Sequence, residues 1–146
     1  MPNVYISITI QREVIRLSNG CCEYCLHPES YSTDYYHFDH IISLFEGGKN
    51  ELSNIARSCG RCNILKSQIT HAFDPVTGKI FPLYNPRKDV WTEHFGWSDD
   101  ELLVYGLTEI GRTTIEVLQL NRESTVNLRK LLKIVKLHPP KFSIIN

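Results

Sequence analysis

No stretch of this 146-residue sequence carries the roughly 18 consecutive apolar residues that a bilayer-spanning helix needs, which excludes that class of membrane protein. The start, Met1-Pro2-Asn3-Val4-Tyr5, has no basic cluster, apolar stretch or small-residue cleavage site. We therefore expect no secretory signal and a cytoplasmic setting. Repeats and low-complexity tracts are missing too. Nor is there an excess of either charge: 16 Lys+Arg face 16 Asp+Glu. The balance is even along the chain, with six basic against seven acidic residues in 1–73 and ten against nine in 74–146. Proteins that grip many phosphates are usually basic, because neutralising phosphates releases counterions. Any nucleic-acid contact here must use a local patch helped by bound cations. What remains is ordinary for a globular chain able to bury a core, at 42% hydrophobic and 22% charged residues.

Cysteine is the exception, with five in the chain. In a cytoplasmic setting these are thiols or metal ligands rather than disulfides. Cys22/Cys25 and Cys59/Cys62 form two C-x2-C pairs separated by 33 residues. Two residues between ligands let a tight turn aim both sulfurs at one point, and four thiolates close a tetrahedral structural zinc site. Buried free thiols packing as small hydrophobes are the plainer alternative. Cys21 is left over as a spare thiol, although a register shift with Cys22 would also preserve a ligand there.

Around these pairs, Ile10, Val14 and Leu17 recur at helical spacing, with Thr9 as the expected N-cap and Gly20 as the stop. Tyr35 to Ile42 reads as a strand, Phe45 to Asn50 as a glycine loop, and Asn54 to Arg57 as a short second strand. Cys59 to about Ile69 opens a helix. Further on, Lys79–Tyr84, Thr92–Trp97 and Leu102–Leu107 suggest a small β-meander, with Pro82 keeping its strand at an edge. A helix capped by Thr108 follows, then one from Val126 to Leu137 whose basic face, Arg129, Lys130, Lys133 and Lys136, reads as solvated surface. The clustered aromatics Trp91, Phe95 and Trp97 read as core rather than as a base-stacking platform.

Between the cysteine pairs lie His37-Phe38-Asp39-His40, then Gly47-Gly48, Asn54, and Cys59-Gly60-Arg61-Cys62-Asn63-Ile64-Leu65-Lys66. This order resembles the His-Asn-His (HNH) endonucleases, in particular those whose motif is stitched by two C-x2-C knuckles. The likeness is close over residues 22–66. Segments from Asn85-Pro86-Arg87 through Trp91, His94-Phe95, Gly111-Arg112 and His138-Pro139-Pro140 also look like the C-terminal part of a bacterial branch of that family. The resemblance implies an α+β fold with a zinc-stapled ββα-metal, treble-clef-like core over 1–72. A C-terminal extension over 73–146 would supply the meander and two helices and pack on the core. It also implies cleavage of nucleic acid, most naturally DNA.

The residues make chemical sense for phosphodiester hydrolysis. A neutral His40 imidazole can take a proton from water near neutral pH. Asp39 and Asn63 offer a carboxylate and a carbonyl oxygen, a donor pair that suits Mg²⁺ or Mn²⁺ rather than zinc. In the families the chain resembles, Asn54 holds the loop that carries His40. His37 shares the face of Asp39 and is a candidate extra ligand or phosphate contact, and Lys66, one turn beyond Asn63, is a candidate phosphate contact.

One geometric difficulty follows: consecutive strand residues face opposite ways, so the strand must end or bend at His40 for Asp39 and His40 to serve one phosphate. Ser43 also stands where related sequences usually carry proline. Taken singly, an Asp-His pair is an ordinary surface turn and Asn63 an ordinary helix cap. A zinc-knuckle module that binds nucleic acid or protein without cleaving it explains the cysteines equally well, but not Asp39, His40, Asn54 and Asn63 together. A zinc deaminase lacks its His-x-Glu beside the cysteine pairs.

Overall fold

The computed structural model describes residues 5–141; Met1 to Val4, on which much of the leader reading rests, lie outside them. The fold is α+β, made of helices and small antiparallel sheets. No helix among the described residues is long and apolar enough to cross a membrane. The chain divides into two compact units, Met1–Thr70 with Asn85–Asp89, and His71–Tyr84 with Val90–Asn146.

In the first unit, helix α1 spans Ile8–Ser18. Its N-cap is Ser7, not Thr9: the Ile10 amide donates to Ser7 Oγ at 3.3 Å. Ile10 and Val14 share one face of the helix, as their spacing predicts, and pack there with Ile6, Ile55, Phe38 and Leu52. Asn19, left-handed at φ 53°, ends the helix just before Gly20. Strand β1 (His37–His40) pairs antiparallel with β2 (Ile55–Ser58), placing Asp39 opposite Ala56 and His40 opposite Ile55. Strand β2 is buried throughout. Helix α2, Gly60–Lys66, follows directly.

The segment Asn85–Asp89 belongs to this unit through its own turn and through Arg87. The Asn85 amide donates to Asp89 Oδ2 at 2.9 Å, and the buried Arg87 guanidinium pairs with Glu23. Glu23 also accepts from the Arg57 amide at 2.7 Å. Burial nonetheless pushes the Glu23 carboxyl up, against the pull of Arg87 and the Arg57 amide.

The second unit holds β3 (His71–Phe73) with β4 (Ile80–Pro82), then α3 (Trp91–His94), β5 (Phe95–Trp97) with β6 (Val104–Gly106), α4 (Glu109–Leu118) and α5 (Glu123–Ile134). The expected meander is corrected here: β3–β4 and β5–β6 are two separate two-stranded sheets. After β4 the chain leaves through the Asn85–Asp89 turn, and half of the expected second strand is the helical turn α3. Thr108 caps α4 as expected, accepting from the Gly111 amide at 3.1 Å. Gly111 also lies where a Cβ would collide with the His94 carbonyl.

Trp91 and Phe95 are buried and stack with centroids 4.9 Å apart, as core. Arg129 is a second correction, since it is buried rather than solvated. It donates to the carbonyls of Leu102 at 2.8 Å and Leu120 at 2.7 Å, and lies over Trp97.

Asp74 organises the β3–β4 turn and ties it to α4. Arg112 holds both its oxygens at 2.9 Å, and Thr77 Oγ1 donates to it at 2.8 Å. The Arg112 guanidinium, then Thr77 and the turn amides, keep this carboxyl well below its ordinary 3.8. A depressed folded-state pKa contributes stability that is complete above the unfolded value and lost as pH falls. Below about pH 4, the wild-type melting temperature should therefore fall more steeply with acid than that of Asp74→Asn. Parallel slopes in thermal melts from pH 7 to pH 3 would contradict the assignment.

Candidate active site and metal centre

The cysteine pairs sit at the ends of the segment that carries the reactive residues. Cys22 and Cys25 lie in the turn after α1, where the Leu26 amide donates to the Cys22 carbonyl at 2.9 Å and the Cys22 amide to His27 at 2.8 Å. Cys59 is the N-cap of α2, its Sγ accepting from the Cys62 amide at 3.4 Å. All four sulfurs are buried and lie within 4.8 Å of one another, with Cys25 and Cys59 3.8 Å apart. Four sulfurs about 2.3 Å from one ion stand about 3.8 Å apart in a tetrahedron, so the cluster fits zinc.

Its electrostatics point the same way. Burial, then the neighbouring thiols, push Cys22 up. Cys62 is raised by Cys22, Cys25 and Cys59, while hydrogen bonds from Cys22, Cys25 and Cys62 hold Cys59 well down. Only a cation lets all four deprotonate together. Cys21 is outside the cluster, bridged to Pro28, and burial pushes its thiol up to about 11. The register question is thereby answered in favour of Cys22.

Asp39, His40 and Asn63 line one cleft of about 400 Å³, together with Ser43, Phe45 and Ser67. His40 is the last residue of β1, and there, at the strand end, it and Asp39 both reach the cleft although they are consecutive. Past that point Asn54 takes over. Its Oδ1 accepts from the Ile42 amide at 2.8 Å, and its Nδ2 donates to the carbonyls of Ile42 at 2.9 Å and Lys49 at 3.0 Å. Both ends of the loop are thus clasped by one buried amide. Gly48 is needed where it stands, because a Cβ there would collide with the Ile42 carbonyl.

Three features of the site were not read from the sequence. His40 Nε2–H donates to Asn50 Oδ1 at 2.6 Å, which leaves the lone pair on Nδ1. Tyr24, buried between the first cysteines, donates its hydroxyl to Asp39 Oδ2 at 2.9 Å. Burial and the adjoining Asp39 charge raise this phenol well above its ordinary value, so it stays a donor.

Lys66 is the third, and it corrects an expectation: it is 1% exposed and turned inward. Its ammonium lies 3.2 Å from Asp39 Oδ2 and donates to the carbonyls of His40 at 3.1 Å and Ile41 at 3.2 Å. A group so engaged does not reach out to a phosphate. Burial pushes the Asp39 carboxyl up, opposed by Lys66, Tyr24 and His40. His37 is exposed, with Nε2 beside Gly60, and is not part of the cleft lining. Position in sequence showed that Asn50, Tyr24 and Lys66 were near the motif, but not which way they point.

Residues 22–68 match the family model of the HNH endonucleases. The matched HNH segment contains both cysteine pairs, the β1–β2 hairpin, the clasped loop and α2. No curated protein and no solved structure matches the chain.

Two outcomes follow from this geometry. Elemental analysis after dialysis should find one zinc per chain, kept by Cys21→Ser and lost in Cys59→Ser; a protein that folds fully without metal would contradict the cluster's role. Lys66→Met removes the cation from a buried pair and should cost about 3–5 kcal/mol in urea unfolding. Unchanged stability would mean that Lys66 is not an internal tie.

Proposed function

We propose that this chain is a metal-dependent endonuclease that hydrolyses phosphodiester bonds in DNA, with β1, β2 and α2 as the ββα-metal unit of the HNH fold. The observation that carries the reading is the single cleft lined by Asp39, His40 and Asn63 within the segment matching the HNH family. His40 is the general base: Asn50 holds its Nε2–H, so Nδ1 can accept the proton of an attacking water. Asn54 is the positioning residue for the loop, and Asn50 for the imidazole. Tyr24 and Lys66 fix the Asp39 carboxylate.

Asp39 and Asn63 would hold the catalytic ion, Mg²⁺ or Mn²⁺, which when bound supplies charge stabilisation to the phosphate and leaving oxygen. The donor set fits a hard cation. It is oxygen-only, and a carboxylate has more lone pairs than Tyr24 and Lys66 occupy. The Asn63 side chain is uncommitted among the described residues. The cysteine cluster would be a closed zinc site with no place for substrate.

The test is incubation of purified protein with supercoiled plasmid, with and without Mn²⁺. Metal-stimulated nicking or linearisation is expected. His40→Ala should lose about 10²–10⁴-fold in rate, the usual contribution of a positioned proton acceptor, while zinc content and melting temperature stay unchanged. Asn63→Ala should lower the rate in a way that added Mn²⁺ partly restores. It is a cleaner probe than Asp39→Ala, which would strand the Lys66 charge. Folded protein that cleaves no nucleic acid under any metal would replace this reading with a zinc-knuckle binding module.

A further inference from the structure

The loop clasped by Asn54 displays an aromatic ring for which the fold has no use. Phe45 is 89% exposed, yet it lines the same cleft as Asp39, His40 and Asn63. It does not hang from a loose segment. It sits in the middle of a 3-10 turn, Leu44–Glu46, whose start is capped by Ser43 Oγ accepting from the Glu46 amide at 3.2 Å. Gly47, at φ +94°, closes the turn, and the Gly48 amide returns to the Ser43 carbonyl at 2.9 Å. Asn54 grips the chain on either side, at Ile42 and Lys49. A ring carried into water on so well-fixed a backbone, at the edge of the cleft, is placed to meet a ligand.

Charge narrows the ligand. The cleft lining holds no Lys or Arg among the described residues, and the nearby Lys66 is spent on Asp39. Without a divalent ion, the side chains lining the cleft therefore supply little of the phosphate neutralisation that is the usual source of affinity for duplex DNA. Stacking can substitute for it, because every base has a π-face and an aromatic ring binds that face whatever the sequence. A continuous duplex hides those faces, whereas an unpaired base offers one.

We propose that Phe45 is a base-stacking platform, and that the preferred substrate is DNA with unpaired bases beside the scissile bond. The proposal rests on the nuclease reading only for placing DNA in this cleft.

The test measures binding, with no divalent ion added, by fluorescence anisotropy of the full chain with one labelled oligonucleotide, single-stranded or annealed to its complement. Wild type should bind the single strand more tightly than the duplex. Phe45→Ala, at an exposed position, should keep its melting temperature and zinc content but bind the strand about 5- to 150-fold more weakly. Phe45→Leu should lose affinity similarly, since it keeps apolar bulk without the ring. Phe45→Trp should keep affinity and show emission quenched by the strand and not by the duplex. The proposal is overturned if Phe45→Ala or Phe45→Leu binds the strand as tightly as wild type, or if strand and duplex weaken equally. Because no cleavage is read, a protein without nuclease activity can still pass. Conversely, failure here leaves plasmid cleavage dependent on His40 intact.

Discussion

Four buried sulfurs packed within 4.8 Å of one another are the constraint on which the first unit depends. Thiolates so close repel unless a cation lies among them, and a metal bound there would join the turn after α1 to the start of α2. Everything between those points, the β1–β2 hairpin and the glycine loop, becomes a closed excursion with fixed ends. The apolar core beside it is small, centred on Ile6, Val14 and Ile55. Cross-linking by metal would let a segment with so thin a core hold a defined shape.

Within that frame two buried polar side chains organise the cleft. Asn54 uses both ends of its amide on the loop backbone, so the loop needs neither proline at Ser43 nor a regular strand to be rigid. Lys66 pairs with Asp39 and donates to two carbonyls at the end of β1, those of His40 and Ile41. Removing water from a carboxylate is costly unless a cation and donors replace it. Lys66 and Tyr24 are those replacements, which explains why a 5% exposed acid can line an open cleft.

The second unit follows a different logic, with more conventional packing. Trp91, Phe95 and Tyr84 form an aromatic cluster, and buried cations are satisfied by carbonyls or by a carboxylate. Arg129 fell on the basic side of a helical pattern, yet the structure turns it inward against Trp97 and two carbonyls. Helical periodicity identifies a polar stripe without showing whether acceptors from another element face it. The expected meander failed for a related reason: strand propensity in three short segments does not say which pairs will exchange hydrogen bonds, and the Asn85–Asp89 turn takes the chain away after β4.

The sequence alone determined what depends on spacing. The C-x2-C pairs picked out the four sulfurs that the fold brings together, because a two-residue gap suits a tight turn with convergent sulfurs. The order Asp39-His40, Gly47-Gly48, Asn54, Asn63 pointed to one site only through its resemblance to the HNH family, and of these Asp39, His40 and Asn63 line the cleft. Strand propensity ran from Tyr35 to Ile42, and only the requirement that Asp39 and His40 serve one phosphate pointed to an end or bend at His40, where β1 does end. Only tertiary structure decided direction and pairing: that Cys21 is excluded, that Lys66 turns inward to Asp39, that Asn50 orients His40, and that Phe45 stays in water. Those outcomes depend on which donors and acceptors residues far apart in the chain present to one another, and local sequence does not encode that geometry.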